Sequence, residues 1–159
     1  MLKSLRSFLY IVTCIFISLA SVSCSRPVGS GISAEALIAE MTAPAGFATP
    51  ARENLLDPLT AAKYGLRTGD LADGCVLYDS RPAVGGKIII AVAAGDEEIT
   101  RVEKALSAER AKLVEALDST GRDGTLREIK VKTKGRYCIL IFCTGARDIE
   151  AIFDDFVKT

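Results

Sequence analysis

Two apolar segments, Lys87–Ala94 and Tyr137–Cys143, constrain the fold of this chain more than any other part of its sequence. They read KIIIAVAA and YCILIFC, and both are rich in the β-branched and aromatic residues that are typical of buried strands. The second segment has no polar face. We therefore expect it to be a central strand of a sheet.

An amphipathic helix is predicted after each of these strands. The first helix runs from Asp96 to about Leu117 and the second from Arg147 to Val157. Apolar residues recur in both at close to the helical period. They are Ile99, Val102, Leu106, Leu113 and Leu117 in the first helix, and Ile149, Ile152, Phe153 and Phe156 in the second.

Shorter strands are predicted at Cys75–Tyr78 and Glu128–Thr133, one before each apolar strand. Charged and apolar residues alternate in the later one, and Lys134-Gly135 provides a hairpin turn. The elements therefore follow the order ββα-ββα, which either internal duplication or ordinary strand-to-helix patterning explains. We expect an α+β fold of two layers, in which helices pack on a four-stranded antiparallel sheet.

Residues 33–159 are predicted to form a single domain whose sheet is preceded by N-terminal helices. Ser33 is an N-cap signal for the first helix. Pro58 occupies the first position of a second helix, Asp57–Lys63, and Gly65 is a left-handed stop signal after it.

The first 23 residues have the layout of a secretory signal peptide of the lipoprotein type. Lys3 and Arg6 precede an apolar stretch, Phe8–Ala20, and small residues lead directly to Cys24. Small residues before a Cys resemble the lipobox of bacterial lipoproteins, in which Cys24 receives a diacylglycerol thioether and becomes the new N-terminus. Ordinary signal peptidase cleavage with secretion, and an uncleaved apolar anchor, are the alternatives. All three place the rest of the chain outside the cytoplasm.

Residues 24–32 are small and polar and predict a flexible tether between the membrane and the domain. Loss of the leader removes Lys3 and Arg6, so acidic residues outnumber basic ones in what remains. Attraction to anionic headgroups would not hold such a chain at the membrane. A lipid on Cys24 would provide the attachment.

Charge and composition exclude several classes of function. The 20 Lys and Arg residues balance 20 Asp and Glu residues, and the chain contains no His. A nucleic-acid partner is not expected, because a chain without net positive charge lacks the electrostatic footprint of a nucleic-acid binder. The missing His excludes His-activated nucleophiles and His-ligated zinc or haem. We predict no cofactor and no metal.

Cys75, Cys138 and Cys143 are the cysteines of the predicted domain. Cys138 and Cys143 are five residues apart on one strand, so they point to opposite faces and are too distant to form a disulfide. Cys75 could pair with Cys138 or with Cys143 in an oxidising compartment. The alternative is that all three are buried free thiols.

Two sets of charged residues are candidates for chemistry. The acidic set consists of glycosidase acids or metal ligands in one interpretation, and of ordinary loop and helix-end residues in the other. Its members are Asp70 with Asp73, Asp96-Glu97-Glu98, and Asp154-Asp155. The basic set is either the solvated face of a strand or a weak site for an anionic polymer. Its members are Lys130, Lys132, Lys134 and Arg136.

The arrangement resembles an uncharacterised family of bacterial, mostly clostridial, lipoproteins known as domain of unknown function 4358. The resemblance covers residues 33–157, together with the leader and Cys24. It is carried by Tyr64-Gly65-Leu66 with Asp70 shortly after, the strand at Lys87–Ala94, the long charged helix that follows it, and Gly135-Arg136-Tyr137. It implies a cell-envelope location and supplies no catalytic residues.

These observations predict a non-enzymatic binding or interaction module held at the outer face of the membrane. Its partner would be a protein or a small ligand that the sequence does not identify. Two other functions remain open: a cell-wall glycan hydrolase that uses only carboxylates, and an accessory subunit of an exported or transport complex.

Overall fold

The computed structural model describes residues 31–81, 86–119 and 129–157. The predicted leader, residues 1–23, and Cys24 lie outside these residues. The strands are β1 (Pro50–Asn54), β2 (Leu71–Asp79), β3 (Lys87–Ala93), β4 (Lys130–Lys134) and β5 (Tyr137–Phe142). The helices are α1 (Ala34–Thr42), α2 (Pro58–Lys63), α3 (Asp96–Ser119) and α4 (Ala146–Phe156), with a short 3₁₀ helix at Thr68–Asp70.

All strands belong to one antiparallel sheet in the order β1-β2-β3-β5-β4. The fold is α+β and β5 is an inner strand, as the sequence predicts. Among the described residues, however, the sheet has five strands, so the prediction of four is wrong. The additional strand, β1, has the sequence PAREN and lies at an edge, where it pairs with β2 alone.

Helices cover both faces of the sheet, so the described residues form three layers and not the two predicted. On one face, Leu37 of α1 and Phe153 of α4 share a cluster with Ile88 and Ile90 of β3. On the other face, helices α2 and α3 share a cluster with the intervening Ile89. Because β3 and β5 are apolar on both faces, each face requires its own cover.

The order ββα-ββα is present, but its two helices lie on opposite faces. Helix α3 follows β3 and packs in one cluster, whereas α4 follows β5 and packs in the other. A duplicated unit would place each helix on the same side of its own hairpin. The arrangement therefore favours ordinary strand-to-helix patterning over duplication.

The local signals in the sequence set the helix ends and the hairpin as expected. The Ser33 hydroxyl accepts a hydrogen bond from Ala36 N–H at 3.2 Å, and the Asp57 carboxylate accepts one from Thr60 N–H at 2.8 Å. Gly65, after α2, has φ +69°, and Gly135 has φ +55° in the β4–β5 turn.

For Cys75 and Cys138, the structure agrees with the alternative of free thiols and not with a disulfide between them. Cys75 lies on β2 and Cys138 on β5, so strand β3 separates them. Their side chains also belong to the clusters on opposite faces of the sheet. Both are buried free thiols. Cys138 and Cys143 lie in different clusters, as the strand period predicts.

The described chain starts at one end of the sheet, which we call the Ile32 end. The Ile32 carbonyl accepts a 2.9 Å hydrogen bond from the Tyr137 hydroxyl, at the start of β5. Ala34 N–H donates to the Asp73 carboxylate at 2.7 Å, near the start of β2. The opposite end of the sheet, where Lys87 begins β3, is called the Lys87 end.

Candidate functional site

A cleft lies between α2, the 3₁₀ helix and α3. We call it the α2–α3 cleft. Its volume is about 490 Å³, and its lining includes Pro58, Leu66, Arg67, Asp70 and Arg101. This volume is within the range of small-molecule sites, which is roughly 300–1,000 Å³.

Arg101 joins two carboxylates in the wall of this cleft. Its Nη2 atom lies 2.9 Å from Asp70 Oδ1 and 2.8 Å from Glu98 Oε1, and its Nε atom also donates to Asp70 at 3.1 Å. The hydrogen bond with Asp70, followed by that with Glu98, raises the pKa of Arg101. The two acids are therefore held as partners of one cation.

Asp70, Glu98 and Arg101 are brought together by the short connection between β3 and α3. The backbone of Asp70 is fixed at both sides, because its N–H donates to the Arg67 carbonyl and its carbonyl accepts from Ala94 N–H, each at 2.9 Å. Helix α3 starts two residues after Ala94. Glu98 and Arg101 are one helical turn apart, so both reach the Asp70 carboxylate region.

A second group of charged and aromatic side chains ties α2 and α3 to the sheet. We call it the Tyr64 cluster. Lys63 Nζ lies 3.1 Å from each Glu53 carboxylate oxygen. Lys87 Nζ lies 3.0 Å from Glu109 Oε1 and 4.8 Å from the centre of the Tyr64 ring. Burial, and then the charge of Glu53, raise the pKa of Tyr64.

The Tyr64 cluster was not predicted from the sequence, although α3 carries a signal for it. Glu109 stands on the apolar side of α3, three residues after Leu106, and it is buried. A carboxylate in such a position requires a partner. Lys87, which begins an otherwise apolar strand, provides it.

A smaller cleft of about 270 Å³ lies beside the end of β1 and includes Glu35, Arg52, Asp73 and Cys75 in its lining. The Asp73 carboxylate accepts hydrogen bonds from Ala34 N–H at 2.7 Å and from Gly74 N–H at 2.8 Å. Asp73 therefore has a structural role at the start of α1. Burial raises the pKa of Cys75, which disfavours the thiolate that a nucleophile needs.

The structure does not bring the predicted acidic pairs together as acid and base. Asp70 bonds to Arg101, whereas Asp73 bonds to backbone N–H groups. Asp154 bonds to Lys132 at 2.6 Å, and Asp155 is exposed. Within residues 31–81, 86–119 and 129–157, no group of three or more Cys, Asp or Glu side chains is arranged to hold a metal ion.

The basic strip does not form the solvated strand face that was predicted, because α4 covers it. Lys130 and Lys132 bond to Glu150 at 2.8 and 3.1 Å, and Lys132 also bonds to Asp154. The bond from Lys130, followed by that from Lys132, lowers the pKa of Glu150. Lys134 Nζ donates to the Asp154 carbonyl at 2.7 Å. These contacts leave little of the strip available to an anionic polymer.

Another buried carboxylate, that of Asp79, was also missed. Its oxygens accept hydrogen bonds from Arg81 Nη2 at 2.8 Å, from Arg81 Nε at 3.2 Å and from Ala48 N–H at 3.2 Å. The Arg81 guanidinium holds the pKa of Asp79 well below its usual range. Asp79 is the last residue of β2, so these contacts lie at the Lys87 end of the sheet, away from the α2–α3 cleft.

No protein-family model, curated protein or solved structure matches this chain. In the part of the chain that the structure describes, no helix combines the length and the apolar character needed to cross a bilayer.

Proposed function

We propose that this protein is a cell-envelope lipoprotein, held by a lipid on Cys24 at the outer face of the membrane. In this proposal the α2–α3 cleft binds a protein or a small ligand without transforming it. The apolar leader and the small residues before Cys24 support the location. The cleft supports the binding role.

The position of Arg101 between Asp70 and Glu98 carries the proposal. A glycosidase needs one carboxyl group that donates a proton and a second that acts as base or nucleophile. Here one guanidinium is bonded to both groups, so both are already engaged in ion pairs with the same cation. The wall of the cleft therefore presents fixed charges, which are suited to recognition of a complementary ligand.

Arg67 supplies the other charge of the cleft. It is exposed, it lines the cleft, and it has no ion-pair partner among the described residues. Pro58 and Leu66 provide apolar surface beside it. We expect the ligand or partner to present an anionic group next to an apolar one.

Affinity capture tests this proposal directly. The tagged full-length chain is cross-linked in the membrane of its host, captured and analysed by mass spectrometry. It is compared with Cys24→Ala, Arg67→Gln and the control Lys104→Gln. Lys104 is an exposed residue of α3 outside the cleft lining, so its substitution removes the same charge.

A specific partner should be recovered with the wild type and with Lys104→Gln, and lost with Cys24→Ala. Loss of a charged contact of about 1.5–3 kcal/mol should reduce its recovery with Arg67→Gln by roughly tenfold or more. Equal recovery with Arg67→Gln and Lys104→Gln would show that the cleft is not the binding site.

A carboxylate-dependent hydrolase of cell-wall glycan is the second candidate. The observation that favours it is that Asp70 and Glu98 line the same cleft. Release of reducing ends from purified cell-wall glycan by the wild type, and its loss in Glu98→Gln, would replace the binding proposal by this one. A role as an accessory subunit would instead be indicated if capture returned one stoichiometric complex.

A further inference from the structure

Two leucines are exposed beside the α2–α3 cleft. Leu59, at the second position of α2, is 83% exposed, and Leu56 is 41% exposed. The Leu56 N–H bonds to the side chain of Asn54, the last residue of β1. Asn54 pairs with Cys75 of β2, close to Asp73. Both leucines therefore lie toward the Ile32 end of the sheet.

A third exposed apolar side chain, that of Phe156, lies toward the same end. Lys130 of β4 bonds to Glu150 of α4, whereas Lys134 bonds to the Asp154 carbonyl. Helix α4 therefore runs alongside β4 toward the β4–β5 turn, next to Tyr137. Phe156, which is 39% exposed, follows Asp154 in that direction.

The fourth large exposed apolar residue that the structure describes, Val114, lies toward the opposite end. Helix α3 starts at the Ile32 end, where Arg101 bonds to Asp70. Glu109 bonds to Lys87 at the other end of β3, and Val114 lies beyond Glu109. Val114 therefore serves as an internal reference for the Lys87 end.

The length of the tether determines which end can reach a membrane. From Cys24 to Ile32 the chain spans at most about 28 Å when it is fully extended. The 24 residues of α3 extend about 36 Å, at 1.5 Å per residue. With a lipid on Cys24, the tether is therefore too short to let the far end of α3, beyond Val114, rest on the membrane while Ile32 stays beside the start of that helix.

We propose that the Ile32 end docks on the lipid bilayer, with Leu56 and Leu59 in the interfacial layer. This inference rests on the proposed lipid at Cys24. Acidic residues, Asp57 and Asp96, and basic residues of the cleft, Arg67 and Arg101, lie at this same end. Because neither sign of charge dominates, the contact depends on apolar insertion and not on attraction to anionic lipids. The anchor keeps this end at high effective concentration beside the bilayer, so two leucines are sufficient. The α2–α3 cleft then opens at the membrane surface.

The absence of Trp from the chain permits a direct test. Leu59→Trp and the control Val114→Trp each introduce a single fluorescent reporter at an exposed position. The full chain, produced in a bacterial host, is reconstituted into phosphatidylcholine vesicles with brominated acyl chains. Flotation of the wild type and of Cys24→Ala measures the dependence on the anchor in the same preparation.

Docking predicts that brominated lipid quenches Leu59→Trp at least about twofold more strongly than Val114→Trp, because bromine reaches only side chains within the bilayer boundary. Equal quenching, or none, overturns the docking while leaving the anchor in place if flotation still depends on Cys24. Flotation without this dependence overturns the anchor, and the quenching comparison then still decides the docking. Protection of Leu59→Trp from aqueous iodide without lipid quenching, together with sedimentation as a dimer, would assign the surface to a second copy of the chain.

Discussion

Replacement of Lys87 by Met should destabilise the protein, because it breaks the ion pair that joins β3 to α3. The two side chains are 20% and 9% exposed, and the Lys87 Nζ to Glu109 Oε1 distance is 3.0 Å. The substitution also removes the cation from the face of Tyr64. Lys112 remains near Glu109, at 3.6 Å, and softens the loss.

The magnitude follows from the burial of the pair. Exposed ion pairs contribute roughly 0–1 kcal/mol, whereas breaking a buried pair costs about 3–5 kcal/mol. We expect Lys87→Met, which leaves Glu109 partly compensated, to lower the free energy of unfolding by about 2 kcal/mol. Glu109→Gln should lower it by about 1–2 kcal/mol. The double variant should be less destabilised than the sum of the single variants by about 1 kcal/mol.

Urea unfolding followed by far-ultraviolet circular dichroism measures this cycle. Lys104→Met, which removes the same charge from the exposed side of α3, should change the unfolding free energy by less than about 0.5 kcal/mol. Additive effects of Lys87→Met and Glu109→Gln, or equal effects of Lys87→Met and Lys104→Met, would refute the role of the Tyr64 cluster.

Three other outcomes are expected. Gly65→Ala should lower the free energy of unfolding by about 1 kcal/mol or more, because Gly65 has φ +69°. The control Gly69→Ala should lower it far less, because a Cβ atom at Gly69 meets open space. Equal urea midpoints of the two variants would contradict this. Arg81 depresses the pKa of Asp79. Asp79 therefore stabilises the folded state above its unfolded pKa of about 3.9, and this stabilisation is lost as the pH falls toward the lower pKa of the folded state. In Asp79→Asn, the melting temperature should consequently fall less steeply with decreasing pH below about pH 4 than it does in the wild type. Identical acid profiles would show that Asp79 is not linked to folding. Burial raises the pKa of Cys138 to about 11, so a thiol reagent at pH 8 should modify Cys138 at least about tenfold more slowly in the folded protein than in urea; equal rates would place this thiol at the surface.

The helices and strands whose apolar residues recur at a regular spacing could be predicted from the sequence, including their bounds. Helices α3 and α4 and strands β3 and β5 start and end within about two residues of the predicted positions. Their apolar residues repeat at one spacing throughout. Ser33 also caps α1 where expected. Local chemistry alone sets these features.

Strand β1 could not be predicted in the same way. Its five residues include Pro50, Arg52 and Glu53, and pairing with β2 makes them a strand. The number of layers was missed for a related reason, because a helical stripe shows that a helix is covered but not which face of the sheet it covers. The apolar character of both faces of β3 and β5 was nevertheless a usable signal for three layers.

The candidate site could be predicted only in part. Asp70 and Glu98 were named as carboxylates of interest, but Arg101, which determines what they can do, was not. Asp70 and Arg101 are 31 residues apart, and only the packing of α3 against the 3₁₀ helix brings them together. The choice between a Cys75–Cys138 disulfide and free thiols stayed open for a similar reason, since the side of the sheet on which each of these cysteines lies depends on the register between strands.

The intact mass of the protein purified from bacterial membranes tests the central claim most directly. The account predicts a chain that begins at Cys24, lacks residues 1–23 and carries the added mass of a diacylglyceryl group on the Cys24 sulfur. The Cys24→Ala variant should lack that mass. A chain of full length without lipid, or a lipid-free chain with a different first residue, would contradict the account.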